Sequence, residues 1–325
     1  MLVIFAAIVL MLPLGAGPYP VTVMVDIGLY SIVAMGLTLL MGLGGQISLG
    51  QAVFFGCGAY ISGILTTKYL FHPWAAFFLA AAITGAVAAI IGRLMFRLQG
   101  LILAGVTLAL NIAFFYLISS MVDLTGGAMG MMNIPPLSIG GFTSQNLLFT
   151  YYLTWIVAIL FLVFSLNLAN SRAGRALRAL NSFAGGSEDA AQVLGIDIMK
   201  YKVSVFVLSA IYASIAGSIH AHYARVIEPG TFMVQLSAMF ALMVIIGGKS
   251  SPWGAFLGTG LIVGIRQGLS EVITALVRGG TGAYEFIAYG IILVLALLFL
   301  PEGLLWVVKK AVSRVSRKTV ATDRI

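Results

Sequence analysis

Glu188 and Asp189 stand side by side at the head of a short apolar run, Ala190 to Leu194, that stops at Gly195. Acids at the start of a helix favour its dipole, and a glycine can end the helix tightly. That pattern suits a compact helix presented to a partner better than it suits catalysis. Four other polar residues, Asp26, Asn111, Arg266 and Glu271, fall inside apolar runs. A charge at the centre of a membrane helix costs about 2.5–3.5 kcal/mol on insertion scales, so such residues mark a pathway or a partner. Asp26 is only six residues into its run and can reach water at the end of it. Arg266 and Glu271 are five residues apart, about 140° around a helix, so each needs a neighbouring helix and not the other.

No catalytic or metal-binding constellation accompanies them. Ser48 lacks the G-x-S-x-G elbow of a nucleophilic serine. His220 and His222 are two apart and point to different helix faces, with no acid near in sequence. With only three histidines in the chain, a bis-haem membrane cytochrome is excluded. Cys57 stands alone, which rules out an internal disulfide or a multi-cysteine cluster. Gly247-Gly248-Lys249-Ser250 resembles the end of a phosphate loop, but the glycine required five residues before Gly248 is Met243. Enzymatic chemistry is not expected.

The elements that must position these residues are membrane helices. The 325 residues are 61% hydrophobic and 9% charged, where a soluble domain carries about 25% charged residues. A bilayer core takes about 20 apolar residues per helix. On that ruler about ten spans are expected, near 1–14, 21–41, 51–67, 74–96, 100–121, 148–170, 201–222, 233–247, 252–276 and 283–300. The fold class is therefore all-α, a polytopic bundle with some spans broken or re-entrant. The N-terminus is read as a first span, complete or truncated, because no basic segment precedes it.

Charge orients the bundle. The segment Arg172–Lys202 is the longest water-compatible run between two apolar blocks, with Arg172, Arg175 and Arg178 at every third position. If it is cytoplasmic, alternation places 14 of the 18 Lys and Arg residues on that side. Lys68, Arg225 and Arg278 fall outside and Arg266 within a span, so 14 + 3 + 1 = 18. That asymmetry follows the positive-inside rule, and a formal charge of +8 needs no nucleic acid to explain it. Both termini are then cytoplasmic. The chain reads as one membrane unit over 1–325, with an outer loop at 122–147, a cytoplasmic loop at 172–202 and a basic tail at 305–325.

Two glycine-rich turns stand out. Gly42, Gly44, Gly45 and Gly50 crowd the first, where glycine costs about 1 kcal/mol per helical position and a broken helix is expected. Two readings stay open: a simple cytoplasmic turn, or a pore-lining break with Gly45, Gln46, Ser48 and Gln51 on the path. The second carries Gly254/Gly258 and Gly260/Gly264/Gly268 at four-residue spacing, a helix-packing signal. Both turns join an inward span to an outward one, which hints at a repeat of the two halves.

Taken together, ordered motifs along nearly the whole chain resemble the permease subunits of branched-chain amino acid ABC importers, specifically the M-type (LivM-like) partner. They include Gly44-Gly45-Gln46 through Ser48-Leu49-Gly50-Gln51 to Tyr60, Arg97-Leu98 with Gly100, and Leu124-Thr125-Gly126-Gly127. Gly174–Ala179, Gly186–Ile196, Phe206-Val207-Leu208-Ser209-Ala210, Trp253-Gly254 and Pro301-Glu302-Gly303-Leu304 complete the series. The resemblance implies a docking (coupling) helix for the ATPase made by Glu188, Asp189, Ala190, Ala191, Leu194 and Gly195. It also implies a second, homologous permease subunit, two ATP-binding subunits that carry the ATP and Mg, and an extracytoplasmic solute-binding protein. No cofactor is expected in this chain itself. The location implied is the cell inner membrane, among lipid, with leucine, isoleucine or valine as solute. Urea or short amides carried by the same machinery form the alternative. Asn111 and Glu271 join the glycine break as candidate path residues. The family often has His where Gln51 stands and Gly where Ser250 stands, and Asn181–Gly185 is about four residues longer than usual, which bears on docking register. Two rival classes are a proton-coupled carrier, which would need Glu271, and a structural membrane subunit without a path.

Overall fold

The computed structural model describes residues 2–15, 17–95, 100–181, 186–249, 251–276 and 304. Helices dominate. They are α1 (Leu2–Met11), α2 (Pro18–Thr38), α3 (Gln51–Thr67), α4 (Pro73–Met95), α5 (Gly100–Ser120), α6 (Val122–Thr125) and α7 (Leu147–Asn170). Then follow α8 (Arg172–Leu180), α9 (Glu188–Val193), α10 (Ile198–Ala224), α11 (Val234–Gly247) and α12 (Trp253–Leu276). The expected spans from 1–14 to 252–276 fall on these helices. The expected span 283–300 and the basic tail 305–325 lie outside the described residues.

Among the described residues, five helices are long and apolar enough to cross a membrane: Pro18–Leu43, Pro73–Met95, Ile102–Ser120, Leu147–Asn170 and Ile198–Ala224. Gln51–Thr67 and Val234–Gly247 are shorter apolar helices. Local chemistry sets their ends. Pro18 opens α2, where its fixed φ suits the first helical turn. Asn146, Ser171, Ser187 and Asp197 cap α7, α8, α9 and α10 with side-chain acceptors.

Helix α10 is the central post, packed against α3, α4 and α2. It approaches α3 so closely that a Cβ on Gly58 would overlap the Ser214 backbone, and one on Gly217 the Phe55 carbonyl. Small residues permit this approach where hydrocarbon provides no driving force between helices. Polar ties reinforce it: Ser218 Oγ donates to the Gly58 carbonyl at 2.9 Å and Ser214 Oγ to Thr84 Oγ1 at 3.0 Å.

One end of the bundle is closed by the loop 121–146. It contains α6 and a two-residue hairpin, Ser138↔Thr143 and Ile139↔Phe142. Met131 pairs with Ile227, and His222 Nδ1 donates to the Pro135 carbonyl at 2.6 Å. Trp74 Nε1 donates to the Ser138 carbonyl at 2.8 Å. At the opposite end lie α8, α9 and both glycine-rich turns, which touch: a Cβ on Gly42 would overlap the Lys249 carbonyl.

The glycine ladder divides. Gly254 and Gly258 let α12 lie against the end of α11, where Cβ atoms would overlap the backbone of Gly248 and Met243. Gly260, Gly264 and Gly268 meet no neighbour within 4 Å among the described residues. Gly258→Val should therefore destabilise the α11–α12 pair by about 1–3 kcal/mol, the usual cost of overpacking. A lower thermal aggregation temperature of the detergent-purified protein is the expected readout.

Candidate functional site

The first glycine-rich turn is not a simple connection. Helix α2 ends in a π-helical turn, Leu39–Leu43, and a non-helical segment then runs from Gly44 to Gly50 before α3 begins. Gln46, Ser48 and Gln51 are all buried. Non-helical backbone inside an apolar bundle must find its hydrogen bonds in the protein. Here they come from four directions. The Gln46 amide donates to the Leu40 carbonyl at 3.2 Å, and the Leu49 amide to Thr107 Oγ1 of α5 at 3.0 Å. Gln51 Nε2 donates to both the carbonyl and Oγ of Ser209 on α10, each at 2.9 Å. The Ala52 amide donates to Ser237 Oγ of α11 at 2.9 Å.

Asn111 joins the same network, because its Nδ2 lies 2.8 Å from Ser237 Oγ. Ser237 thus joins Asn111 to the start of α3 beside Gln51, while Gln46 and Ser48 are buried in the preceding segment and Gly45 is half-buried. Gly45 has φ +65°, a left-handed conformation that L side chains rarely adopt, and a Cβ there would sit 2.7 Å from Asn181 Oδ1. Among the described residues, both side-chain polar atoms of Gln46, Gln51 Oε1 and Asn111 Oδ1 lack hydrogen-bond partners, as do other buried side-chain atoms such as Ser31 Oγ, Tyr60 Oη and Thr259 Oγ1. Unpaired polar groups of this kind are costly in a bundle. Ser237→Ala should remove the acceptor of the Ala52 amide and destabilise the protein by about 1–3 kcal/mol, seen as a lower thermal aggregation temperature.

The other expected site is the loop beyond α7. Helix α8 shows an amphipathic pattern: Gly174, Leu177 and Leu180 are buried, and Arg172, Arg175 and Arg178 are exposed. Helix α9 follows, stapled to α8 by the Gly186 amide on the Asn181 carbonyl at 2.9 Å and the Ser187 amide on the Ala179 carbonyl at 3.1 Å. Ala191 is buried against this staple, while Val193 and Leu194 are 88% and 78% exposed. Gly195 ends the helix with φ +77° and open space around it. The side chains of Glu188 and Asp189, and the segment 182–185, lie outside the described residues.

Asn181, which sequence reasoning placed only within an extended segment, links the two sites. It is buried, and its Nδ2 donates to the Gly42 carbonyl at 2.7 Å. Thr107, Ser209 and Ser237 were also missed, each a lone hydroxyl within an apolar run. Of the charged residues, Asp26 lies on α2 and Arg266 on α12, two helices that pack together. Nearby, Tyr19 Oη donates to Gln267 Oε1 at 2.9 Å. The Glu271 side chain lies outside the described residues.

Residues 19–300 match the family described as branched-chain amino acid transport system / permease component. The chain is 26% identical over 300 residues to the high-affinity branched-chain amino acid transport system permease protein LivM of Salmonella typhimurium, covering 85% of this chain and 68% of that relative. It is 28% identical over 295 residues to the LivH permease protein of Escherichia coli K12, covering 85% and 91%. The BraD permease protein of Pseudomonas aeruginosa is 27% identical over 294 residues, covering 85% and 91%. No solved structure matches the chain. With its apolar helices and nearly its whole length matched, the chain belongs to the permease-component family of branched-chain amino acid transport systems.

Proposed function

We propose that this permease works with a second, homologous permease subunit to form a path for leucine, isoleucine and valine. ATP is hydrolysed in two separate subunits, which hold the ATP and Mg, and an extracytoplasmic binding protein delivers the solute. The protein sits in the cell inner membrane with both termini cytoplasmic, and this chain performs no bond chemistry of its own. The observation that carries the reading is the family match over residues 19–300. Relatives named both LivM and LivH support a paired permease.

Helix α9 is the ATPase-docking element. Val193 and Leu194 are exposed apolar side chains beside a glycine terminus. Exposed apolar groups at the end of a polar loop fit a partner groove better than water. Motion of α9 reaches the bundle by a physical chain. The backbone bonds from Gly186 and Ser187 fasten α9 to α8, and Asn181 fastens α8 to Gly42. The segment 44–50 then leads to Ala52, Ser237 and Asn111. A non-helical segment has fewer internal bonds to break than a helix, so it can shift when its anchors move. Access to the path alternates as this segment is pulled by the docking loop.

The direct test is radiolabelled uptake in cells with and without this gene. Loss of leucine-type uptake on deletion, restored by the intact gene, is the expected result. Loss of urea uptake with leucine uptake intact would overturn the solute.

A further inference from the structure

Helix α7 turns one apolar face outward. Ile156, Leu160, Val163 and Phe164 are exposed at helical spacing, Leu160 by 62%, while Thr154, Ala158, Leu162 and Ser165 are buried against the bundle. On a helix of membrane length, such a ridge is a surface for acyl chains. Asn167 and Asn170, also exposed, continue the same face to the end of the helix.

Arginines gather where this ridge stops. Ser171 turns the chain into α8, whose Gly174, Leu177 and Leu180 are buried and whose Arg172, Arg175 and Arg178 are exposed. Arg175 Nη1 donates to the Asn170 carbonyl at 3.1 Å, and Arg178 Nη1 to the Ala169 carbonyl at 2.7 Å. Both guanidinium groups are thereby held at the last turn of α7, where unpaired carbonyls and the helix dipole favour cations. That cap uses one N–H of each, and a guanidinium has five. The cap therefore fixes the two groups in place without consuming them. No Asp or Glu occurs in the sequence from 124 to 187, so no carboxylate from α7 or α8 offsets the three charges.

We propose that the α7–α8 corner binds an anionic phospholipid, with its phosphate on Arg175 and Arg178 and its acyl chains along the α7 ridge. The proposal rests on the membrane orientation given above, which puts this corner at the cytoplasmic leaflet, and it adds a ligand. The planar arginine fork matches phosphate oxygens, and basic segments beside a membrane helix are drawn to anionic headgroups. A soluble anion would meet the arginines but not the ridge. A zwitterionic lipid would meet the ridge but offer no net charge to the arginines. Asn181 fastens the end of α8 to Gly42, and the Gly186 and Ser187 amides fasten α9 to α8. A lipid on α8 thus steadies the base of the docking loop.

The test titrates the full chain, purified in detergent, with phosphatidylglycerol or with phosphatidylcholine of the same acyl chains, and counts bound lipid by native mass spectrometry. Lipid retention needs no transport, so the outcome is independent of the solute. The wild type should retain phosphatidylglycerol more strongly than phosphatidylcholine. Arg175→Gln with Arg178→Gln should weaken phosphatidylglycerol about thirtyfold, the equivalent of about 1 kcal/mol for each arginine near an anionic surface, and leave phosphatidylcholine unchanged. Arg175→Lys with Arg178→Lys, which keeps the charge and loses the fork, should weaken it only about threefold. Lys68→Gln, an exposed cation at the other end of the bundle, should change neither lipid. Phe164→Gln should weaken both lipids, and glycerol phosphate, a headgroup without chains, should leave no adduct at the same concentration. Unchanged phosphatidylglycerol affinity in the glutamine pair would overturn the site, as would equal retention of the two lipids by the wild type or an adduct with glycerol phosphate. A glutamine pair that keeps its lipid and loses ATPase co-purification would overturn it too, and assign the arginines to a protein partner. Should that pair fail to fold, Phe164→Gln and the wild-type comparison decide.

Discussion

Gly195→Trp is expected to reduce ATP-coupled uptake about a hundredfold while leaving membrane assembly intact, with each tenfold worth about 1.4 kcal/mol. Two effects combine. Gly195 holds φ +77°, and a non-glycine residue in that left-handed region costs roughly 1–2 kcal/mol. The indole would also stand beside Val193 and Leu194 on the surface offered to the ATPase. Open space around Gly195 means the bulk meets nothing within the described chain, so folding is spared and docking is not. Co-purification of the ATPase with the variant should fall in step with uptake. Wild-type uptake in the variant would remove α9 from its docking role.

Asn181→Leu is the second large effect. Its amide donates to the Gly42 carbonyl at 2.7 Å, and removing the donor from this half-buried carbonyl costs about 1–3 kcal/mol. That cost falls at the joint between docking loop and broken helix. Uptake should fall about thirtyfold, roughly 2 kcal/mol on the same scale, whereas ATPase co-purification should stay near the wild-type level because the outer face of α9 is untouched. A matched loss of both would mean that Asn181 supports the fold and does not transmit motion. Asn181→Gln, which keeps the donor on a longer arm, should recover part of the uptake.

The helices were legible because apolar length and punctuation agree. The span expected at 51–67 coincides with α3, since Gly50 precedes it and Lys68 ends it. Helix α10 starts earlier than the expected 201, because Asp197 caps it through the Lys200 amide at 3.0 Å and Lys200 and Lys202 are carried inside the helix. Charges had been read as loop, but long lysine stems are compatible with a helix end. The break at 42–50 was visible as crowded glycine, yet its burial was not. That depends on Thr107, Ser209 and Ser237, which lie far away in sequence. Likewise the glycine ladder was one pattern in sequence and two in space, with Gly254 and Gly258 against α11 and Gly260, Gly264 and Gly268 free of near neighbours among the described residues. Four-residue spacing names a face and not the element that covers it. Asn181 had no periodic signal at all, because a single side chain spanning 139 positions of sequence leaves no local trace.

The central claim is that ATP hydrolysis in docked partners drives solute through this chain. The most direct measurement pairs leucine uptake with ATP hydrolysis in one proteoliposome preparation of the full complex, with leucine-loaded binding protein present. The account predicts that loaded binding protein stimulates hydrolysis and that uptake stops when ATP is withheld. Uptake that persists without ATP, collapses with the proton gradient and vanishes in Glu271→Gln would contradict it and identify a proton-coupled carrier instead.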